Sequence, residues 1–463
     1  MKRDTNSPTQ TQHLCSTFTL PSLRGFAFWP SLLDGLSFVS TTPGSNLDHI
    51  PRSGGGDALS MDITALTDPV EQDAVYDIMR ATGNEWVTNI SDICHRRWHG
   101  IQCARDDRNT YHVVSLSFGT MSDDTSFPSC NRMGSHISES ITMLSHVKNL
   151  VFYRCFMNNP QPIPSFLGGL GLRLQRLVLR ENGHMGPIPD TLGNLVGLRV
   201  LDLCQNNLSG FIPSPLTQLP NLRSLDLSMN KLVGTIPDFE STSLEILNMG
   251  YNMLSEEVPS SIGSCRSLLK LDFSHNRLDG LLPKSIGDLK ELILLDLSYN
   301  NLIGPLPPSI KKLQSLQVLD LEHNSKWHTP LRSNEFEGMG ALTILVLSSM
   351  NLHGPIPESL GQLSNLRVIY LDRNNINGSI PLTFKGLRNL VQLRLNDNQL
   401  SGQVPFKREM LWKMRRKIKL HNNINLCYDN GVLEHDASLA LDLGIVLCGK
   451  SESISTDNME GIF

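Results

Sequence analysis

Leucines recur along this chain at alternating short intervals, and polar residues fill the gaps in an equally fixed order. From Leu150 to Pro405 the pattern reads L-x-x-L-x-L-x-x-N-x-L-x-G-x-I-P, repeated about every 24 residues. The first leucines of the units are Leu150, Leu174, Leu198, Leu222, Leu244, Leu268, Leu292, Leu316, Leu342, Leu366 and Leu390. Ten of these eleven units carry the asparagine, at Asn158, Asn182, Asn206, Asn230, Asn252, Asn276, Asn300, Asn324, Asn374 and Asn398. Within one unit, Leu225 and Leu227 alternate on a short strand and point the same way. Leu222 and Leu232 close the layer. One coil cannot cover these side chains, so stacked neighbours must bury them. The expected fold is an α/β solenoid, a leucine-rich-repeat superhelix with one short strand per turn in a parallel concave sheet and disulfide-stapled caps. Asn230 stands where the strand turns away, and its amide can bond backbone groups that the bend leaves unpaired.

The second half of each unit is more specific. Gly234 permits a tight path, and Ile236-Pro237 gives an apolar plug followed by a fixed φ that stops the strand. The same pair recurs at Pro189, Pro213, Pro259, Pro283, Pro307, Pro357, Pro381 and Pro405. This form of repeat resembles the plant subtype found in receptor kinases and receptor-like proteins. The unit at Leu316 departs from it: it lacks G-x-I-P, runs on from Ser325 to Gly340 with Phe336 in the hydrophobic slot, and is followed by Met350 in place of asparagine.

Outside the repeats the pattern changes. Residues 1–67 are rich in Ser, Thr, Pro and Gly and read as a disordered or leader segment. Their best apolar run, Gly25 to Leu33, is broken by Trp29-Pro30. Residues 68–112 form an N-terminal cap: Asp68 caps a helix, Pro69 takes its first position and Glu71 completes a capping box. Trp86 and Trp98 pack that cap onto the first coil. The solenoid occupies 113–413, a C-terminal cap 414–448 and a polar tail 449–463. Nine cysteines lie mostly at the ends. Solenoid ends expose apolar faces and are stapled in oxidising compartments; the expected pairs are Cys94–Cys103, Cys130–Cys155 and Cys427–Cys448, with the connectivity left open by the sequence. Cys265 fills a leucine slot as a small buried hydrophobe, and Cys15 is left over. Sequons at Asn89, Asn207 and Asn377 fit a secreted glycoprotein. No apolar stretch at either end serves as leader or anchor, which leaves attachment to a membrane undecided.

The segments Tyr76–Gly83, 97–103, Tyr111–Gly119, Leu177–Gly183, Leu393–Asn398 and Met414–Leu420 resemble the plant leucine-rich-repeat receptor-like proteins of stomatal patterning. The resemblance implies a kinase-less component on the extracellular face of the plasma membrane. It would act with leucine-rich-repeat receptor kinases of the ERECTA type and with small secreted cysteine-rich peptides. A second reading is a soluble extracellular inhibitor of cell-wall hydrolases, similar to polygalacturonase inhibitors, which share the repeat and lack an anchor. No kinase set, catalytic triad or metalloprotease helix is present, so an enzyme is not expected and no cofactor is called for. The net charge of −5 gives no case for nucleic acid.

Three motifs mislead. Gly444 to Ser451 spells a P-loop but leaves no room for the helix that would hold phosphate. Cys94, His95, His99 and Cys103 mimic a zinc set with a spacing no common finger uses. Lys407, Arg408, Lys413, Arg415, Arg416, Lys417 and Lys419 form a basic run that reads first as a solvated face and second as a docking patch. Positions between the strand leucines should face outward. They offer Phe152, Arg154, Arg176 and Arg180 early, the stripe Asp202, Asp226, Asp272, Asp296 and Asp320 in the middle, and Tyr299, Tyr370, Arg373 and Arg394 late. Exposed Tyr and Arg are over-represented at the energetic centres of interfaces, so the late four are the first candidates for partner binding and the early Phe/Arg patch the second.

Overall fold

The computed structural model describes residues 65–95, 98–119, 128–130, 133–429 and 443–448. They divide into two units: residues up to His184 with Leu203–Asn206, and Met185–Asp202 with the residues from Asn207 on. The leader, Cys15 and the polar tail with Lys450 and Ser451 of the P-loop match lie outside the described residues.

The first unit opens with a helix, α1 (Pro69–Ala81). Asp68 caps it, accepting from the N–H groups of Val70 and Glu71 at 2.9 and 3.1 Å. Glu71 does not complete a capping box. The Asp68 N–H donates instead to the Tyr111 carbonyl, and Glu71 turns inward to become 1% exposed. Strand Ile101–Arg105 pairs antiparallel with Tyr111–Phe118, which starts the parallel series Asn149–Phe152 and Arg176–Val178.

Here the register differs from the sequence reading. Leu150 pairs with Leu177, not with Leu174. The ladder slot therefore falls to Cys155, whose N–H donates to Asn182 Oδ1 at 2.7 Å, and Asn158 is exposed. Phe152 consequently points into the core, fully buried and stacked on Phe118 at 5.0 Å. Disulfides join Cys94 to Cys103 and Cys130 to Cys155. Trp86 meets Trp98 edge to face at 5.7 Å.

In the second unit, short strands from Val200–Asp202 to Ile418–Lys419 pair in parallel in chain order. Their central residues Leu225, Leu247, Leu271, Leu295, Leu319, Leu345, Ile369 and Leu393 are all fully buried. Each buried leucine contributes roughly 1.5–3 kcal/mol, supplied jointly by its own coil and the next. Most coils also lay down a second short strand after the asparagine, which the one-strand expectation missed. Met185–Gly186 through Arg277–Leu278 form one such sheet, and His353–Pro355 through Val446–Leu447 another. The prolines at 189, 213, 259, 283, 307, 357 and 381 do more than stop a strand. Each sits at the N-cap of a helical turn with φ between −55° and −66°, where a missing N–H costs nothing.

The two second-strand sheets are separated by the irregular coil. Trp327 enters there, 3% exposed, and its carbonyl accepts from Gly304 N–H at 3.3 Å. A Cβ on Gly304 would lie 2.4 Å from Trp327 Nε1, so only glycine admits the indole. Phe336 and Met350 are fully buried. The C-terminal end carries a helix Arg408–Met414, the disulfide Cys427–Cys448, and Asn423, which continues the asparagine series.

Candidate functional site

Each ladder asparagine of the second unit satisfies backbone groups on two coils. Asn300 Oδ1 accepts from Leu278 N–H at 3.0 Å, while its Nδ2 donates to the carbonyls of Phe273, Leu297 and Ser298 at 2.9, 3.1 and 3.1 Å. To reach that position the preceding residue must take a left-handed conformation. Tyr251, His275, Tyr299, His323, Arg373 and Asp397 do so, with φ between 52° and 57°.

Because this backbone geometry repeats, the side chains leave every coil in the same direction. In four successive coils they are aromatic, and they stack. Tyr251 lies 4.0 Å from His275, His275 4.1 Å from Tyr299, and Tyr299 4.3 Å from His323, with interplanar angles of 16°, 10° and 23°. The faces are occupied by neighbours, so the stack presents ring edges, phenol hydroxyls and imidazole nitrogens. Tyr299 is 38% exposed. Burial and the nearby carboxylates push the Tyr251 and Tyr299 phenols up to about 12, while burial lowers both histidines. The phenols and imidazoles are therefore neutral near pH 7.

The acidic stripe is not the open surface that its position between leucines implied. Asp272, Asp296 and Asp320 are 2%, 4% and 4% exposed. Asp272 and Asp296 each accept from the hydroxyl of the serine two residues on, Ser274 and Ser298, at 2.7 Å. Burial first, then the Asp272 charge, raises Asp296; burial, then the Asp296 charge, raises Asp320; burial, then Asp372, raises Glu322. Lys270 comes within 3.7 Å of Asp272.

Of the late candidates, Tyr299 is in the stack and Arg373 is exposed beyond it; the Arg373 charge is one cause of the lowered His323. Tyr370 is only 2% exposed. Its ring lies under the Arg394 guanidinium at 4.1 Å and its hydroxyl donates to Gln392, so it positions Arg394 and presents nothing itself. Among the early candidates, Phe152 is core. Arg154 is held by Glu181 at 2.6 Å over the Tyr153 ring, and Arg176 and Arg180 are half-buried. Asn89 and Asn377 are exposed and Asn207 half-buried. The disulfide takes both thiolates out of the zinc-like set. In the basic run Arg415 stacks on Trp412 at 4.8 Å. Tyr251 and His275 were not singled out from sequence; the signal was an aromatic residue directly before the asparagine in consecutive units.

Models described as leucine-rich repeat match residues 173–232 and 340–400, and single-repeat models match 243–265, 267–289 and 291–313. These segments carry the leucine-rich-repeat fold. The chain's repeats depart from the models between 313 and 340, where Trp327 enters. The chain is 64% identical over 136 residues to Protein TOO MANY MOUTHS of Arabidopsis thaliana, a match covering 29% of this chain and 27% of that protein. Among solved structures, the leucine-rich-repeat chain resembles that of PEPR1–AtPEP1 with a TM-score of 0.62 and 31% identity, over 78% of this chain and 49% of the other. The Arabidopsis receptor kinase HAESA, solved with the peptide hormone IDA and the co-receptor SERK1, gives 0.52 and 31% over 63% and 52%. This chain thus spans about a quarter to half of these relatives. No helix among the described residues is long and apolar enough to cross a membrane.

Proposed function

We propose that this chain is a non-catalytic receptor-like protein whose second unit binds a protein partner through the stack Tyr251–His275–Tyr299–His323 and the adjoining Arg373 and Arg394. The stack carries the reading. Ring stacking and left-handed backbone fix four side chains before any partner arrives, so little rotamer entropy remains to be lost on binding. The partners that fit the resemblance are ectodomains of leucine-rich-repeat receptor kinases of the ERECTA type and secreted cysteine-rich peptides, in stomatal patterning at the extracellular face of the plasma membrane. The HAESA structure supports the reading, since that similar receptor kinase was solved in complex with a peptide hormone and a co-receptor.

Purified wild type and a Tyr299→Ala/Arg373→Ala variant test it by calorimetry against such an ectodomain, such a peptide and a cell-wall polygalacturonase. Binding to ectodomain or peptide that weakens about tenfold or more in the variant is expected. Undiminished binding, or binding to the polygalacturonase alone, sinks the proposal.

A further inference from the structure

The N-terminal cap gathers a second set of functional side chains. Glu71 enters from the first turn of α1, His112 from the strand Tyr111–Phe118, and His146 from the turn before Asn149–Phe152. Their ligand atoms all lie within 4.8 Å of one another. His112 Nδ1 is 3.2 Å and His146 Nδ1 3.5 Å from the same oxygen, Glu71 Oε1. The two imidazoles lie side by side with centroids 3.9 Å apart and planes tilted by 35°, and the Nδ1 atom of each approaches that oxygen. A tetrahedral zinc ion with bonds of about 2.0–2.2 Å holds its ligand atoms about 3.3–3.5 Å apart. The two measured edges fit that spacing.

The surroundings match what such an ion needs. Val113 N–H fixes the other carboxylate oxygen at 2.7 Å. Asp106 Oδ2 lies 3.5 Å from His112 Nε2, the contact that orients a ligating imidazole and adds a second negative charge nearby. The His146 side chain is 51% exposed, which gives an ion a way in and leaves a fourth position to water. The Ser145 N–H donates to Glu71 Oε1 at 3.0 Å and leaves that oxygen its second lone pair, across which Ser145 Oγ now bridges Glu71 Oε1 at 2.5 Å and His146 Nδ1 at 2.7 Å. A serine hydroxyl clears that space by a rotation about χ1.

We propose that Glu71, His112 and His146 form a site for a divalent transition metal, zinc by the chemistry of two imidazoles and one carboxylate. The ion would tie α1 to the first long strand and to the coil that follows, so the cap would be fastened by metal as well as by disulfides.

The test is titration of the full chain with zinc chloride at about pH 7.5, read by calorimetry and thermal melting. Cobalt in its place reports tetrahedral ligation by visible absorption. One site per chain and a raised melting temperature are expected. His146→Ala, which changes a half-exposed side chain, weakens binding by about tenfold or more and removes the cobalt spectrum. His136→Ala alters an exposed histidine bonded to the Gly134 carbonyl and leaves both unchanged. Ser145→Ala does not weaken binding, because the hydroxyl competes with the ion. Absence of zinc uptake, equal zinc stabilisation of His146→Ala and wild type, or tenfold weaker binding in Ser145→Ala would each overturn the proposal.

Discussion

Removing one ladder asparagine should cost less than its four hydrogen bonds suggest, and the cost should depend on its neighbour. In Asn300→Ala, Leu278 N–H loses the partner it had at 3.0 Å. The three carbonyls do not become orphans. Phe273 O keeps Asn276 at 3.1 Å, Leu297 O keeps Asn324 at 3.1 Å, and Ser298 O keeps the His275 N–H at 2.9 Å. The variant therefore strands one buried donor and thins three shared acceptors, a loss of about 2 kcal/mol. Asn324 has no such backing. Its Oδ1 serves Leu302 N–H at 3.0 Å, and its Nδ2 serves Leu297 O at 3.1 Å and Leu321 O at 2.8 Å. The next coil offers Met350, which has no amide to share Leu321 O. Asn324→Ala strands a donor and an acceptor and should cost about 1 kcal/mol more than Asn300→Ala. Urea unfolding followed by circular dichroism compares the midpoints, with matching slopes confirming that the two variants unfold alike. Equal losses, or the larger loss at Asn300, would refute the shared-acceptor argument.

The remaining predictions concern charge, fit and the C-terminal end. Asp296 and Asp320 are raised above 3.8, so the folded state keeps protons the unfolded chain has released. Their contribution is full below the ordinary pKa and is lost as pH rises through the raised one. Asp296→Asn keeps the acceptor for Ser298 and should flatten the fall in melting temperature between about pH 5 and 8; an unchanged slope counts against it. His275 and His323 are lowered from 6.5, so their contribution is lost as pH falls below that value. The double change to Gln should remove that acid-side loss from the melting curve. Gly304→Ala forces a methyl to within 2.4 Å of Trp327 Nε1 and should destabilise by about 1–3 kcal/mol, with a red-shifted tryptophan emission as the check. Replacing Cys427 and Cys448 by Ala should cost about 2–4 kcal/mol at the C-terminal end, measured by calorimetry.

The repeat and its buried face were legible because hydrophobic spacing is a direct record of which side chains a coil must hide. The first coil was misread because Asn158 stands at the expected offset from Leu150, while the true slot holds Cys155. That shift by itself turned Phe152 from a surface residue into core. Tyr370 misled for another reason. It does face away from the leucines, but Arg394 from the next coil lies over it, and a rule applied one coil at a time cannot see a cover supplied by its neighbour. The buried aspartates are the same case. The second strands are too short to carry a hydrophobic period and arise from backbone pairing, so no pattern announced them. The aromatic stack was written openly, one residue ahead of each asparagine. Its recognition required comparing the same position across consecutive coils.

That position has a consequence for how such a molecule changes. From Arg154 and Glu181 to Tyr299, Arg373 and Asp397, the residue before the ladder slot is left-handed whatever its side chain. The strain, about 1 kcal/mol or more each, belongs to the turn and is there already. Exchanging one letter for another redecorates a fixed peg without asking the backbone for a new shape. New contacts can thus be tried one coil at a time while the fold stays as it is, and glycine, which would relax the turn, is the one letter that leaves nothing on display.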